Sequence, residues 1–250
     1  MNRYPVCLVD EVNKPDRLEL KMNRSNQFIL ANSLMLAFSG TAAAEFTANV
    51  SLGTDYIYRG ISQTDETATI QGGFDWAGES GLYAGVWASN LAFDGYIEMD
   101  IYAGYAGSIG ENVEYDVGLL HYDYPNQASG HADFNFDEIY GSASYKGFTL
   151  GIAYSNDFFG ESGTGEYIYA EYALDLPQDF GLGFHYGMQN IDDNDAFGAP
   201  DYAEYSVSLN KELQGIDFGL TWHDTDLSST ECFGTDWCKS RVVFAISKNL

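Results

Sequence analysis

The sequence predicts an all-β fold, a closed antiparallel transmembrane β-barrel of about twelve strands with short periplasmic turns and longer extracellular loops. Three observations carry that expectation. From Glu45 onward apolar and polar residues alternate with period two in segment after segment, and no useful length shows helical periodicity. The connections between those segments alternate between short and long. No apolar run after residue 44 is long enough for a membrane-spanning helix.

The chain opens with an export pattern. Residues 1–21 read as leader from an upstream start codon and are set outside the fold. At residues 22–44, Lys21 and Arg24 flank the start of the apolar stretch FILANSLMLAFSG, and Ala42, Ala43 and Ala44 precede Glu45. That order of charged, apolar and small residues is the order of a secretory signal peptide, cleaved between Ala44 and Glu45. Asn32 and Ser33 interrupt the apolar stretch and keep it from serving as a membrane anchor. The expected mature barrel is residues 45–250.

The strands follow in order. In FTANVSLGTDYIYRG, Phe46, Ala48, Val50, Leu52, Tyr56 and Tyr58 share one face; Thr47, Asn49, Ser51, Asp55 and Arg59 share the other. Segments near 68–76, 82–89 and 96–106 come next. Val113, Tyr115, Val117 and Leu119 then oppose Glu114, Asp116 and Gly118, and a segment near 137–145 follows. Phe148, Leu150, Ile152 and Tyr154 oppose Thr149, Gly151, Ala153 and Ser155; after 166–174, Phe180, Leu182, Phe184, Tyr186 and Met188 oppose Gly181, Gly183, His185 and Gln189. Segments near 202–210, 216–225 and 239–249 complete the set.

The long connections are GISQTDET, NLAFDG, PNQASGHADFNF, NDFFGESGTG, NIDDNDAFGAPD and DLSSTECFGTDWC; the short ones are AGESG, GSIGEN, KG, DLPQD and KELQG. Short turns at one rim and long loops at the other mark an outer-membrane barrel. A bilayer demands closure, because every backbone N–H and C=O inside it needs a partner and only a closed sheet has no open edge. Aromatics near strand ends (Tyr56, Tyr58, Tyr122, Tyr124, Phe158, Phe159, Tyr202, Tyr205) are expected to form interfacial girdles. Glycines inside strands, such as Gly72, Gly85, Gly104 and Gly151, are assigned to bends of a tightly curved sheet. The competing fold is a secreted β-sandwich, which alternates equally well but has no reason to alternate its connection lengths.

Charge narrows the function classes. The chain has 37 acidic and 11 basic side chains, net −26. Four of those acids and five of those bases precede residue 45, which leaves −27 on residues 45–250. Nucleic acid is excluded as a partner, since its phosphates require Lys and Arg. Disorder is excluded by 19 Tyr, 16 Phe and 4 Trp. Cys7 falls in the leader, so Cys232 and Cys238 in ECFGTDWC remain. In an exported chain they are expected to close a loop as a disulfide; a metal site is the alternative, with no His nearby to complete its ligands.

TDYIYRGISQT at 54–64, QGGFDWAGESGLYAGVWASN at 71–90, EMDIYAGYAG at 98–107, YDVGLLHYDYP at 115–125, EIYGSASYKGFTLGIAYSND at 138–157 and the ending RVVFAISKNL resemble the TorF-type porin family over essentially all of 45–250. The resemblance implies an exported barrel with a channel role, and it supplies no substrate and no catalytic motif. Outer-membrane barrels usually end in an aromatic residue read by the barrel-assembly machinery, whereas this chain ends in Leu250. Phe244 and Ile246 keep the alternation there.

The polar strand faces carry the candidate site. If they line the lumen, its carboxylates are Asp55, Asp75, Glu98, Asp100, Glu114, Asp116, Glu138, Glu171, Glu204 and Asp217, with Arg59 as the placed cation. Rings of carboxylates favour cations, so the expected function is passive diffusion of small cationic or neutral solutes, with outer-membrane lipid around the barrel and no cofactor. The bland reading is that these acids bond to Tyr, Ser and Thr in a filled interior. Arg59 is either a constriction charge or a structural partner of Asp55 or Asp75. His185 and His223 share the polar face and raise an enzymatic alternative, a lipid-modifying barrel, for which no nucleophile is identifiable. The run 190–201 lacks the Gly and Glu positions of a calcium loop. A non-conducting structural or adhesive barrel remains the runner-up, and the sequence fixes no oligomeric state.

Overall fold

A computed structural model describes residues 44–250. The expected leader at 1–21 and nearly all of the expected signal peptide at 22–44 lie outside the described residues; Ala44 and Glu45 stand at the start of the first strand. The elements are β1 (Glu45–Gly53), β2 (Ile57–Tyr58), β3 (Ile61–Ser62), β4 (Thr69–Ala77), β5 (Leu82–Asn90), β6 (Ile97–Ile109), β7 (Val113–Asp123), β8 (Phe136–Tyr145), β9 (Phe148–Ser155), β10 (Gly165–Leu176), β11 (Phe180–Ile191), α1 (Asn194–Phe197), β12 (Tyr202–Leu213), β13 (Ile216–Thr225) and β14 (Arg241–Asn249). Twelve of the strands form one closed antiparallel barrel in chain order, and β2 and β3 form a separate small hairpin. Closure comes from β1, which pairs with β4 on one side and with β14 on the other.

Parity sorts the wall. Phe46, Phe74, Val117, Leu119, Ile139 and Val242 all point outward and are more than half exposed, while Asp75, Glu98, Glu138, Glu171 and Glu204 point inward and are buried. A sandwich would hide the first set and expose the second. So broad an apolar exterior on every strand suits lipid and is far larger than soluble proteins expose.

The five short connections sit at one end. Two of them are two-residue turns, Lys146–Gly147 and Gln214–Gly215, with positive φ at both residues. That conformation matches the twist of the flanking strands, and glycine adopts it without strain at the second position.

Two expectations about local structure are corrected. β1 ends at Gly53 rather than running to Arg59; Thr54–Ala68 leave the wall and turn into the barrel, with β2 and β3 as their tip. The aromatics expected as girdles mostly do not face lipid. Tyr56, Tyr122, Tyr124 and Phe158 are buried in one interior cluster with Leu91, Phe136 and Ile191; Tyr58 and Phe159 pack against it, and Tyr202 belongs to a second cluster with Ile61. Tyr205 does face outward, with its ring 5.8 Å from that of Trp222. The cause is the inward loop, whose apolar side chains need an apolar filling at the long-loop end of the lumen.

The strand glycines also have a sharper role than bending. Tyr83-Ala84-Gly85 on β5 runs antiparallel to Tyr102-Ala103-Gly104 on β6, with Tyr83 opposite Gly104 and Gly85 opposite Tyr102. Each phenol lies over its partner glycine, so a Cβ on Gly85 would come within 2.4 Å of the Tyr102 ring. The missing side chains make room for Tyr rings lying flat against the wall.

Candidate functional site

The candidate site is the lumen, into which the hairpin of residues 54–68 projects. Asp55 begins it, accepting from Ser62 Oγ and Thr64 Oγ1, each at 2.7 Å, which closes the loop on itself. Arg241 at the start of β14 adds a third contact, Nη1 to Asp55 Oδ2 at 3.0 Å. Arg241 is therefore a second lumen-facing cation, one that parity placed inside but the sequence reading passed over.

From the hairpin tip Arg59 reaches across the barrel. Its Nη2 donates to Glu138 Oε2 on β8 and its Nη1 to Gln189 Oε1 on β11, both at 2.8 Å. Its guanidinium carbon stands 4.8 Å from the Tyr58 ring centre and 4.3 Å from that of Tyr167. The expected partners, Asp55 and Asp75, are not its partners, because β1 ends early and the loop carries Arg59 away from both. Gly60 presses against the wall at β12 and β13, where an added Cβ would meet Glu204 and Thr225.

The acids fall into three levels along the barrel. Nearest the long loops, Glu98 accepts from Tyr56 Oη at 2.6 Å and from Tyr124 Oη at 2.8 Å. Asp100, Glu138 and Glu204 occupy the same half. Mid-barrel, His185 stands between Glu171 and Glu204, with Nδ1 2.8 Å from Glu171 Oε1 and Nε2 2.6 Å from Glu204 Oε1. Tyr167 also hydrogen-bonds Glu204. Toward the short turns, Tyr102 donates to Asp75, and Tyr83 donates to Asp116 Oδ1 at 2.6 Å and shares a hydroxyl contact with Tyr140. Glu114 and Asp217 lie near the short-turn rim, the first exposed and the second buried.

Much of the acidic wall is thus held by tyrosine hydroxyls. Charge is kept in the lumen while its geometry is fixed. His185 has carboxylate oxygens at both ring nitrogens, an arrangement that only the doubly protonated ring serves with a donor at each. Ser206 lies opposite both His185 and His223 in register. Both nitrogens of His185 already have partners other than that hydroxyl, Nδ1 at Glu171 and Nε2 at Glu204 and at Tyr167 Oη, the last 2.8 Å away.

At the long-loop end, Cys232 and Cys238 are joined as a disulfide with Cα atoms 6.0 Å apart. Both pack against Ile61 and Tyr202. The backbone N–H of Ser62 donates to Trp237 O at 3.0 Å, and Trp237 Nε1 to Asp65 Oδ1 at 2.7 Å, so the last loop clasps the inward hairpin. Within the 190–201 run, Asn194–Phe197 form a single helical turn, α1, capped by Asp193. Among the described residues, no group of three or more His, Cys, Asp or Glu side chains is arranged to hold a metal ion.

The comparisons with known proteins bear on this barrel. Residues 37–250 match the family described as "Bacterial protein of unknown function (Gcw_chp)". The chain belongs to that family. Among solved structures it is similar to the KdgM porin, with a TM-score of 0.53 at 7% identity, covering 81% of this chain and 97% of that one. It is also similar to the NanC porin, with a TM-score of 0.52 at 13% identity, covering 80% and 97%. No curated protein sequence matches it. At these identities the likeness establishes a shared fold, the closed twelve-stranded barrel of those porins.

Proposed function

We propose that this chain is an outer-membrane channel of a Gram-negative bacterium that lets small cationic or neutral solutes diffuse passively, with its short turns in the periplasm and its long loops outside. The observation that supports this most is the lumen wall: inward carboxylates at every level, against Arg59, Arg241 and His185, each already paired with acids. Negative charge held in a confined, poorly solvated passage attracts cations and repels anions. The fold shared with the KdgM and NanC porins is consistent with this reading, and the surrounding partners would be outer-membrane lipid and the barrel-assembly machinery.

Reconstitution in planar bilayers tests the reading. Discrete conductance steps and a reversal potential of cation sign in a salt gradient are expected; folded protein that never conducts would reject it. One observation favours a second reading, a closed barrel that binds through its loops: the inward hairpin and the aromatic cluster around Tyr122 and Phe158 fill the long-loop half of the lumen. The same bilayers separate the two.

A further inference from the structure

One lumen carboxylate differs from its neighbours. Glu98 has a tyrosine donor on each oxygen, Glu138 is bonded to Arg59 and Tyr122, and Glu171 and Glu204 share His185. Asp100, on the same face of β6 as Glu98, has its Oδ1 buried with no hydrogen-bond partner among the described residues. Leaving a buried carboxylate oxygen without a donor is costly, so the site favours an incoming donor.

Its surroundings say which kind. In register Asp100 lies between Trp87 on β5 and Tyr122 on β7. The Trp87 ring is held edge-on against Tyr56, with centres 5.4 Å apart, and Tyr122 is stacked 4.1 Å from Phe136. A carboxylate beside two fixed aromatic rings attracts a cation through its charge, and the rings keep competing water away from it. A bare metal ion would need several oxygen ligands, and no such set is arranged here. An ammonium group supplies both the positive charge and the N–H donors that Oδ1 lacks.

We propose that Asp100, with Trp87 and Tyr122 beside it, is a binding subsite for the primary ammonium group of a solute in the lumen. This rests on the channel reading and names the solute class that the lumen would select.

The test titrates butylammonium into the folded full chain in detergent micelles by calorimetry, with heat-modifiable gel mobility as the check on folding. Saturable binding is expected, weakened at least tenfold in Asp100→Asn and unchanged in Asp137→Asn, whose side chain faces outward. In the unaltered protein, tetramethylammonium, which has charge but no N–H, is expected to compete poorly. Absence of saturable binding, equal binding by Asp100→Asn, or equal competition by tetramethylammonium each overturns the subsite. Cation-selective conductance without butylammonium binding would leave the channel standing and remove the subsite; binding without conductance would do the reverse.

Discussion

Arg59 at the tip of the inward hairpin donates from Nη2 to Glu138 Oε2 at 2.8 Å, across 79 positions of sequence, and both side chains are less than a tenth exposed. That bond fixes where the hairpin sits in the lumen. Removing the cation leaves a buried carboxylate unpaired, which costs about 3 kcal/mol where no relaxation is possible. Arg59→Ala is therefore expected to loosen the hairpin, seen as larger and noisier single-channel conductance and as new protease cleavage within residues 54–68. Conductance and cleavage matching the unaltered protein would mean that the hairpin is held without this bond.

Charge selection should weaken in steps. Asp100 and Asp116 face the lumen at two different levels, so Asp100→Asn combined with Asp116→Asn is expected to lower the cation-to-anion permeability ratio severalfold. Reversal potentials in a potassium chloride gradient measure it. A ratio indifferent to both changes would place the ion path elsewhere.

The glycine beneath each flattened tyrosine yields a paired prediction. In Gly85→Ala the new Cβ collides with Tyr102, which must lift and lose its bond to Asp75; a destabilisation of about 1–3 kcal/mol is expected. In Gly141→Ala the nearest atom would be Val117 Cγ1 at 3.5 Å, an ordinary contact, and the stiffer residue should be neutral or stabilising by about 0.5 kcal/mol. Urea unfolding in lipid vesicles compares them, and equal effects would reject the role given to Gly85.

The loop at 226–240 should respond to reductant and acid. Opening the Cys232–Cys238 bridge releases a short loop, worth about 2 kcal/mol by chain entropy. Cys232→Ser with Cys238→Ser is expected to increase proteolysis in this loop and channel noise, through its contacts with the hairpin, with little change in the unfolding of the strands.

Outside the strands, hydrogen bonds from Ser228 hold Glu231 below the usual carboxylate range, and the Lys239 ammonium, 2.6 Å from Asp236, does the same there. A lowered folded-state value means stabilisation present above the unfolded value and lost as pH falls through the folded one. Loop proteolysis by an acid-stable protease should accordingly rise as pH drops below about 4, the ordinary carboxylate value, and a flat profile would show that neither contact matters.

Much of the wall was legible because strand parity is rigid: a residue two positions from a lumen acid is itself in the lumen. Asp75, Glu98, Glu138, Glu171 and Glu204 all lie inward, as alternation placed them. The same rule put Tyr122 on the face of Asp116, and reading it as a girdle residue by proximity to a strand end set parity aside. Arg59 was out of reach for a different reason. Alternation continued past Gly53 into a hairpin that lies outside the barrel sheet, and nothing local marks where a chain leaves that sheet. Its partner Glu138 is a contact of tertiary origin, as are the tyrosine donors on the acids.

The seam between β1 and β14 links Ser51 to Ile246, residues 195 positions apart. Until Arg241–Asn249 takes its place, β1 and β13 each present a row of unpaired amides and carbonyls that hydrocarbon will not accept and that another chain would readily join. Closure of the wall is consequently bound to Arg241–Asn249: without it two raw edges stand open at once, and with it both are paired in a single step.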